Sequence, residues 1–335
     1  MNRDTQHTQP WRLSVAPMMD WTDRHCRYLH RLLSRNTLLY TEMVTSPALV
    51  RGGALHLLRF SPEEHPVALQ LGGSDPNELA EAARMGADAG YDEINLNVGC
   101  PSDRVQSGTF GAVLMREPDL VARCCEAMRK AVDVDVTVKC RIGVDEQEPS
   151  EVLPDFLNRV ADAGVGRFAI HARKAWLQGL SPKENRDVPP LDYDLVHEMK
   201  ARFPDLNLSV NGGIETLEQA KSFLDAGLDG VMVGRAAYHQ PTDILARADS
   251  EIYGAASAPA DPVNIALAML PYIERHLGEG GKLGQVTRHM LGLFAGRPGA
   301  RAWRRVLSEG AHKPDAGPEL VEKALGYITA ARDAA

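Results

Sequence analysis

Eight short runs rich in β-branched and large apolar residues recur through the first 235 residues, and their even spacing is what most constrains this chain. They lie at Leu13–Met19, Leu38–Met43, Pro66–Leu71, Glu93–Val98, Val136–Arg141, Phe168–Ala172, Leu208–Asn211 and Gly230–Val233, a mean interval near 31 residues. Most read as near-continuous apolar stretches, the pattern of parallel strands covered on both faces. Helical segments fill the intervals. Ser74-Asp75-Pro76 and Glu117-Pro118-Asp119 open two of them with proline in the first turn, and Glu215 to Ala226 forms a third. Ala89-Gly90, Ala163-Gly164 and Ala226-Gly227 each stop a helix shortly before the next strand. This alternation predicts an α/β fold, a (β/α)8 TIM barrel. A doubly wound open sheet would be expected to carry GxGxxG after its first strand, and none is there.

Composition shifts at Gly254–Pro262, a small-residue and proline stretch that predicts a linker. Beyond it lie only helical patterns, Val263–Leu277, Leu283–Phe294, Gly299–Ser308 and Pro318–Arg332, which predict a small all-helical C-terminal domain. The expected division is therefore a barrel over 1–253, a linker over 254–262 and a helical domain over 263–335. Hydrophobic residues at 44% exclude a disordered chain, and no run of 18 apolar residues suggests a membrane span. The polar start MNRDTQHTQPWR lacks the apolar core of a signal peptide. Five cysteines, odd in number and without CxxC spacing, fit a reduced cytoplasmic protein; zinc spacing and HExxH are both missing, so no metal is expected.

A net charge of −8 argues at first against a polyanionic partner, but the charge is unevenly distributed. Residues 262–335 carry 10 Lys and Arg against 7 Asp and Glu, leaving 27 against 38 for the rest. Lys282 to Arg305 holds six basic residues and no acid. Such a stretch is either a solvated helix face or a phosphate-binding patch.

A barrel enzyme builds its site from the C-terminal ends of its strands. Here those ends are Ala16-Pro17-Met18-Met19-Asp20, Thr41-Glu42-Met43, Gln70, Asn95 to Pro101, Lys139 and Arg141, His171, Asn211-Gly212-Gly213 and Gly234-Arg235. Gly212-Gly213 and Gly234-Arg235 occupy the usual barrel phosphate position, or are tight turns with incidental glycines. Lys139, buried with no acid in its own strand, needs either an anionic ligand or a carboxylate from another strand such as Glu42. Cys100 sits in a Gly-Cys-Pro turn at the mouth, as a small packing residue or as a proton donor. The other four cysteines are assigned to packing.

Taken in order, APMMDWTDR at 16–24, LQLGG at 69–73, NLNVGCPS at 95–102, VKCRIG at 138–143, HAR at 171–173, NGGI at 211–214 and VMVGRAAY at 231–238 resemble the tRNA-dihydrouridine synthases. ARKAWLQGLSPKENR at 172–186 and GRPGARAWRR at 296–305 resemble the bacterial A-type members in particular. The resemblance implies reduction of the C5–C6 double bond of tRNA D-loop uridines, at positions 20 and 20a for this type, by FMN that NADPH has reduced. It implies hydride transfer from the flavin N5 to C6 and a proton from Cys100 to C5. It further implies FMN contacts at Pro17, Met18, Met19, Gln70, Lys139, His171, Asn211, Gly212, Gly213, Gly234 and Arg235. Asn97 matches a position that touches the target nucleotide, and Lys183, Arg186, Arg301 and Arg304 match positions that orient tRNA. The preference for NADPH follows from the family alone.

The chemistry of uracil is consistent with this. Its double bond accepts hydride at C6 and leaves enolate-like charge towards O4, so a proton donor must face C5. A thiol of ordinary pKa, ~8.5, is largely protonated at neutral pH and can serve. Asn97, Arg141 and Lys139 are candidate donors to the developing charge. The target base must leave its stack to react, which gives a basic stretch and a helical domain a use as a backbone-tracking surface. Trp176 and Trp303 are read either as base-stacking residues or as packing anchors. A monomer is expected, with tRNA as substrate, no obligate protein partner and no membrane.

Overall fold

A computed structural model describes residues 9–102 and 110–334. Most of the polar start, residues 103–109 and Ala335, all included in the expected divisions, lie outside the described residues. Eight parallel strands close into a barrel in chain order: β1 (Leu13–Val15), β2 (Leu38–Thr45), β3 (Val67–Gly72), β4 (Glu93–Val98), β5 (Asp135–Arg141), β6 (Arg167–His171), β7 (Asn207–Asn211) and β8 (Gly230–Val233), with β8 pairing back onto β1. Helices Arg24–Leu33, Pro76–Asp88, Pro118–Ala131, Pro149–Asp162, Tyr193–Arg202 and Leu217–Asp225 cover its outside.

The local signals act as their chemistry requires. Asp75 caps its helix by accepting from Asn77 and Glu78 N–H, with Pro76 in the first turn. The three glycines of the Ala-Gly stops have φ of +98° (Gly90), +91° (Gly164) and +97° (Gly227), a conformation that costs glycine little.

Two expectations need correction. β1 ends at Val15 rather than Met19, because Pro17 has no N–H for the ladder and the chain turns at once, Trp21 and Thr22 donating to the Met18 carbonyl. The helix expected over Val263–Leu277 is two helices, Pro262–Ala268 and Leu270–Gly278, breaking at Met269 just before Pro271.

The strands are also less uniformly apolar than their sequences suggest. Along β3 to β7 every second residue joins the large core between sheet and helices, for example Ile94, Leu96 and Val98 or Val136, Val138 and Cys140. Their neighbours point into the barrel and are largely polar: Glu93, Asn95 and Asn97 in β4, Thr137, Lys139 and Arg141 in β5. The apolar interior of the barrel is a small cluster of Ala16, Leu38, Tyr40, Ala68, Ala169 and Met232. At the N-terminal end Arg167 closes the cylinder. It pairs with Glu93 at 2.8 Å and Asp135 at 3.1 Å and lies 4.6 Å over the Trp11 ring.

After the barrel come helices Pro262–Ala268, Leu270–Gly278, Leu283–Met290, Ala300–Gly310 and Glu319–Asp333; Pro262–Ala268 and Leu283–Met290 pack against helix Arg24–Leu33, and Ala300–Gly310 packs on Glu319–Asp333 and Leu283–Met290. Asp23 ties the two parts. It caps Arg24–Leu33 through the N–H groups of His25 and Cys26, and it also binds Arg288 at 2.5 Å and His289 at 3.0 Å. Burial would raise its carboxyl, but His289 and the Cys26 N–H hold it well below the usual carboxylate range. Trp21 stacks on Tyr238 with centroids 4.6 Å apart, and Tyr238 meets His289 edge-on, so the helices dock beside the ends of β1 and β8. No helix among the described residues is long and apolar enough to cross a membrane.

Trp303 is a packing anchor. It is fully buried, its indole N–H donates to the Met290 carbonyl at 3.0 Å, and its ring meets Phe294 edge-on. Trp303→Ala is expected to destabilise the fold by about 3–5 kcal/mol in urea denaturation. Trp303→Phe, which loses the N–H bond but refills most of the space, should cost clearly less.

Candidate active site

The side chains expected to carry chemistry converge at one end of the cylinder because the strands bring them into register. Gln70 lies opposite Asn95, Asn97 opposite Lys139, and Arg141, His171 and Asn211 sit side by side on β5, β6 and β7. All point inward by the alternation described above.

Lys139 stands among protein atoms, although solvent still reaches part of its side chain from the mouth. Its ammonium is pushed down to about 8, first by desolvation and then by the nearby Arg141. Among the described residues no carboxylate pairs with it. The alternative partner, Glu42, accepts the Asp20 N–H at 2.5 Å instead, and burial raises its carboxyl. His171 is buried, and desolvation together with Arg141 and Lys139 holds it well below its ordinary value, so it is neutral at physiological pH. One side of the mouth is thus cationic and poor in acid. This is an arrangement in which an anion gains and a further cation loses.

The walls are shaped by what is missing from them. Gly212 and Gly213 have φ of +109° and +68°, and a Cβ would come within 2.6 Å of His171 or 2.5 Å of Leu191 respectively. A Cβ on Gly234 would find nothing nearer than Met18 Sδ at 3.8 Å, so that face is open. Met18 is fixed by its turn, its N–H donating to Thr22 Oγ1 at 2.9 Å; Pro17 is half-buried beside it and Met19 is 56% exposed. Asn211 is buried and donates to the Met232 carbonyl. Arg235 forms an ion pair with Asp187 at 2.7 Å.

Cys100 lies on the loop after β4, half-buried and reduced, while the other four cysteines are buried. Its N–H donates to Asn97 Oδ1 at 3.0 Å, its carbonyl accepts from Ala112 at 2.9 Å, and its thiol faces Ser102 Oγ at 3.6 Å. Asn97 also accepts from Gly99 and donates to Gln70, so it organises this loop as well as facing the mouth. Arg141 has a role the sequence did not reveal. Its guanidinium donates to the carbonyls of Gly99, Lys174 and Asn185, clamping the Cys100 loop to the long loop after β6. Burial lowers its pKa only to about 10, so it stays charged. On that second loop Lys183 and Arg186 are exposed, and Asn185 is buried, bonding the backbone on both sides of Trp176.

Of the six basic residues from Lys282 to Arg305, Arg288 and Arg297 pair with Asp23 and Asp243. Arg301, Arg304 and Arg305 project from helix Ala300–Gly310, exposed and without a carboxylate partner among the described residues.

Lys139 supplies a prediction on ligand-free protein. A lysine with a lowered folded pKa binds fewer protons folded than unfolded between pH ~8 and its ordinary value of 10.5, so stability rises with pH across that window. Lys139→Met should unfold at a higher urea concentration than the wild type at pH 7, and the difference should narrow as pH is raised from 8 towards 10. Parallel midpoints at every pH would show that Lys139 is not desolvated in the folded chain.

Comparison with known proteins bears on what such a mouth is for. The family profile described as Dihydrouridine synthase (Dus) matches residues 14–329. The chain is 61% identical over 318 residues to a tRNA-dihydrouridine(20/20a) synthase of Escherichia coli K12, covering 95% of this chain and 91% of that protein. Proteins of the same name from Vibrio cholerae and Shewanella oneidensis are 58% identical (96% of this chain, 98% of theirs) and 60% identical (94% and 93%). A match of this length, running from the first strand of the barrel into the last helix, places the chain in the dihydrouridine synthase family.

Proposed function

We propose that this chain is a tRNA-dihydrouridine(20/20a) synthase, acting in the cytoplasm as a monomer on uridines 20 and 20a of the tRNA D-loop, with FMN as bound cofactor and NADPH as its reductant. The observation that carries the chemistry is the pairing, at one barrel mouth, of a half-buried thiol on a clamped loop with a desolvated lysine that has no carboxylate partner among the described residues.

The residues at the mouth fit FMN. Lys139 offers a charge to an electron-rich ring, Gln70 offers an amide edge, and Pro17, Met18 and Met19 offer apolar cover. His171 and Asn211 line the floor. Gly212, Gly213, Gly234 and Arg235 leave backbone and charge for a phosphate where side chains would block it. When bound and reduced, FMN supplies hydride to C6 of the uracil.

The chain's own residues do the rest. Charge gathering on the C5–C4–O4 enolate system is stabilised by the cationic wall, above all by Lys139. The Cys100 thiol holds the proton that C5 receives, and the backbone bonds from Asn97, Arg141 and Ala112 keep that thiol at one place on the mouth. The mouth's access to solvent lets the thiolate regain its proton. Residues 263–335 serve as a tRNA-binding domain, in which Arg301 and Arg304, with Lys183 and Arg186 from the barrel loop and Asn97 at the mouth, meet the RNA.

The decisive experiment follows the flavin. With enzyme reduced by NADPH in the absence of oxygen, unmodified tRNA should reoxidise it quickly, and Cys100→Ala should slow that step by roughly 100-fold or more, the scale of a lost general acid. A yellow protein that ignores tRNA would instead be a small-molecule flavin dehydrogenase. Binding should fall steeply between low and moderate salt, and the double variant Arg301→Ala, Arg304→Ala should flatten that slope by about one to two phosphate contacts. An unchanged slope would remove this helix from the RNA interface.

A further inference from the structure

Between the cationic mouth and the sealed end of the barrel runs a continuous line of buried polar side chains. Arg167 pairs with Glu93 Oε2 at 2.8 Å, and Tyr40 donates to Glu93 Oε1 at 2.6 Å. The Thr137 hydroxyl donates to the same Oε1. Asn95 Nδ2 donates to Thr137 Oγ1, Gln70 Nε2 to Asn95 Oδ1, and Asn97 Nδ2 to Gln70 Oε1, each at 2.8 Å. Asn97 Oδ1 then accepts the backbone N–H groups of Gly99 at 3.1 Å and Cys100 at 3.0 Å. Glu93, Thr137, Asn95, Gln70 and Asn97 are all buried.

The line has a direction that its two ends impose. An amide side chain can be turned over at little cost in shape, and a hydroxyl can donate either way, so the three amides and Thr137 could in principle adopt either sense. The Glu93 carboxylate, paired with Arg167 and accepting from Tyr40, accepts from Thr137 as well, so the Thr137 hydroxyl must donate to it and keep its lone pairs for Asn95. That forces the Asn95 oxygen towards Gln70, the Gln70 oxygen towards Asn97, and the Asn97 oxygen outward to the loop. At the other end the N–H groups of Gly99 and Cys100 can only donate, and so they require that same Asn97 oxygen. Reversing any one rung would leave two donors or two acceptors face to face in a buried site, each unsatisfied group bearing the full cost of its lost solvation.

We infer that Glu93 and Thr137, far below the mouth, are positioning residues for Cys100: the fixed charge of Glu93 sets the sense of the amide line, and the line holds the Gly99-Cys100 backbone in place. This rests on the proposed role of Cys100 for its catalytic meaning, but not for its structural content. Neither Glu93 nor Thr137 touches the reacting atoms. They act through Asn95, Gln70 and Asn97.

Thr137→Val, which keeps shape and removes both hydrogen bonds, tests the inference, with Thr137→Ser as the variant that restores them. Cys100 is the one cysteine that is not buried, so the rate of iodoacetamide alkylation of folded, ligand-free protein reads its loop directly. The expected result is faster alkylation in Thr137→Val by several-fold and a wild-type rate in Thr137→Ser. With tRNA, kcat should fall about tenfold in Thr137→Val, the equivalent of one lost buried hydrogen bond, with KM unchanged. If Thr137→Val yields too little folded protein, Asn95→Leu cuts the line one rung higher with the same readouts. A folded variant that alkylates and turns over like wild type would overturn the inference, whatever its melting temperature. Wild-type protein that fails to reduce tRNA would sink the proposed function while leaving the alkylation comparison to stand or fall alone.

Discussion

Closing a parallel sheet on itself takes every second side chain of eight strands out of water, and most other features of this molecule are ways of living with that constraint. Along β3 to β7 the outward residues solve it by joining the apolar layer beneath the helices. The inward ones divide the cylinder. A small apolar plug of alanines, Leu38, Tyr40 and Met232 fills part of it, an ion pair between Arg167 and Glu93 closes one end, and amides and cations crowd the other. Polar groups so placed must be bonded to one another or else have something to meet. Asn95 and Thr137 belong to the first kind and Lys139 to the second, while Gln70 and Asn97 are bonded within the barrel and also reach its mouth. The same strands that make the barrel stable therefore also separate structural polarity from functional polarity.

Much of this was legible in the sequence, for identifiable reasons. β4 and β8 begin and end where their apolar runs do, because Tyr91-Asp92 and Gly99, or Asp229 and Gly234, mark both sides with turn chemistry. The helix stops at Gly90, Gly164 and Gly227 were visible because few residues other than glycine take their φ at low cost. Residues at strand ends converge on the mouth since register, once the fold is given, leaves them nowhere else to be. What escaped were relations between distant segments. Arg141 reads as a possible ligand in VKCRIG, and only the fold reveals that three carbonyls from two loops surround it. The alternation in Glu93-Ile94-Asn95-Leu96-Asn97-Val98 is in the sequence as a period of two, with Ile94, Leu96 and Val98 on the face that meets the helices. The break at Met269 could have been read from Pro271, whose missing N–H argued against one continuous helix.

The docking of the C-terminal helices depends on one residue that local sequence reading treats as an ordinary helix cap. Asp23 orients the N-terminus of Arg24–Leu33 and at the same time holds Arg288 and His289 of a segment some 265 residues away. Since this cap follows directly on the Met18 turn, the mouth wall and the helical segment share a foundation. The exposed arginines of Ala300–Gly310 are carried on a body whose inner face is fixed by Trp303 and whose attachment lies beside β1 and β8.

The uneven charge of the chain acquires a kinetic meaning once that body is seen. A barrel segment with an excess of acid repels a polyanion from most directions, while the basic helix face attracts it from one. The chain's charge is thus distributed as a dipole, and under the proposed function that dipole would turn an approaching nucleic acid before it touches. On that proposal encounters on the acidic flanks would be short, the search for a productive orientation would take place largely at a distance, and association would be selective even before any base is read.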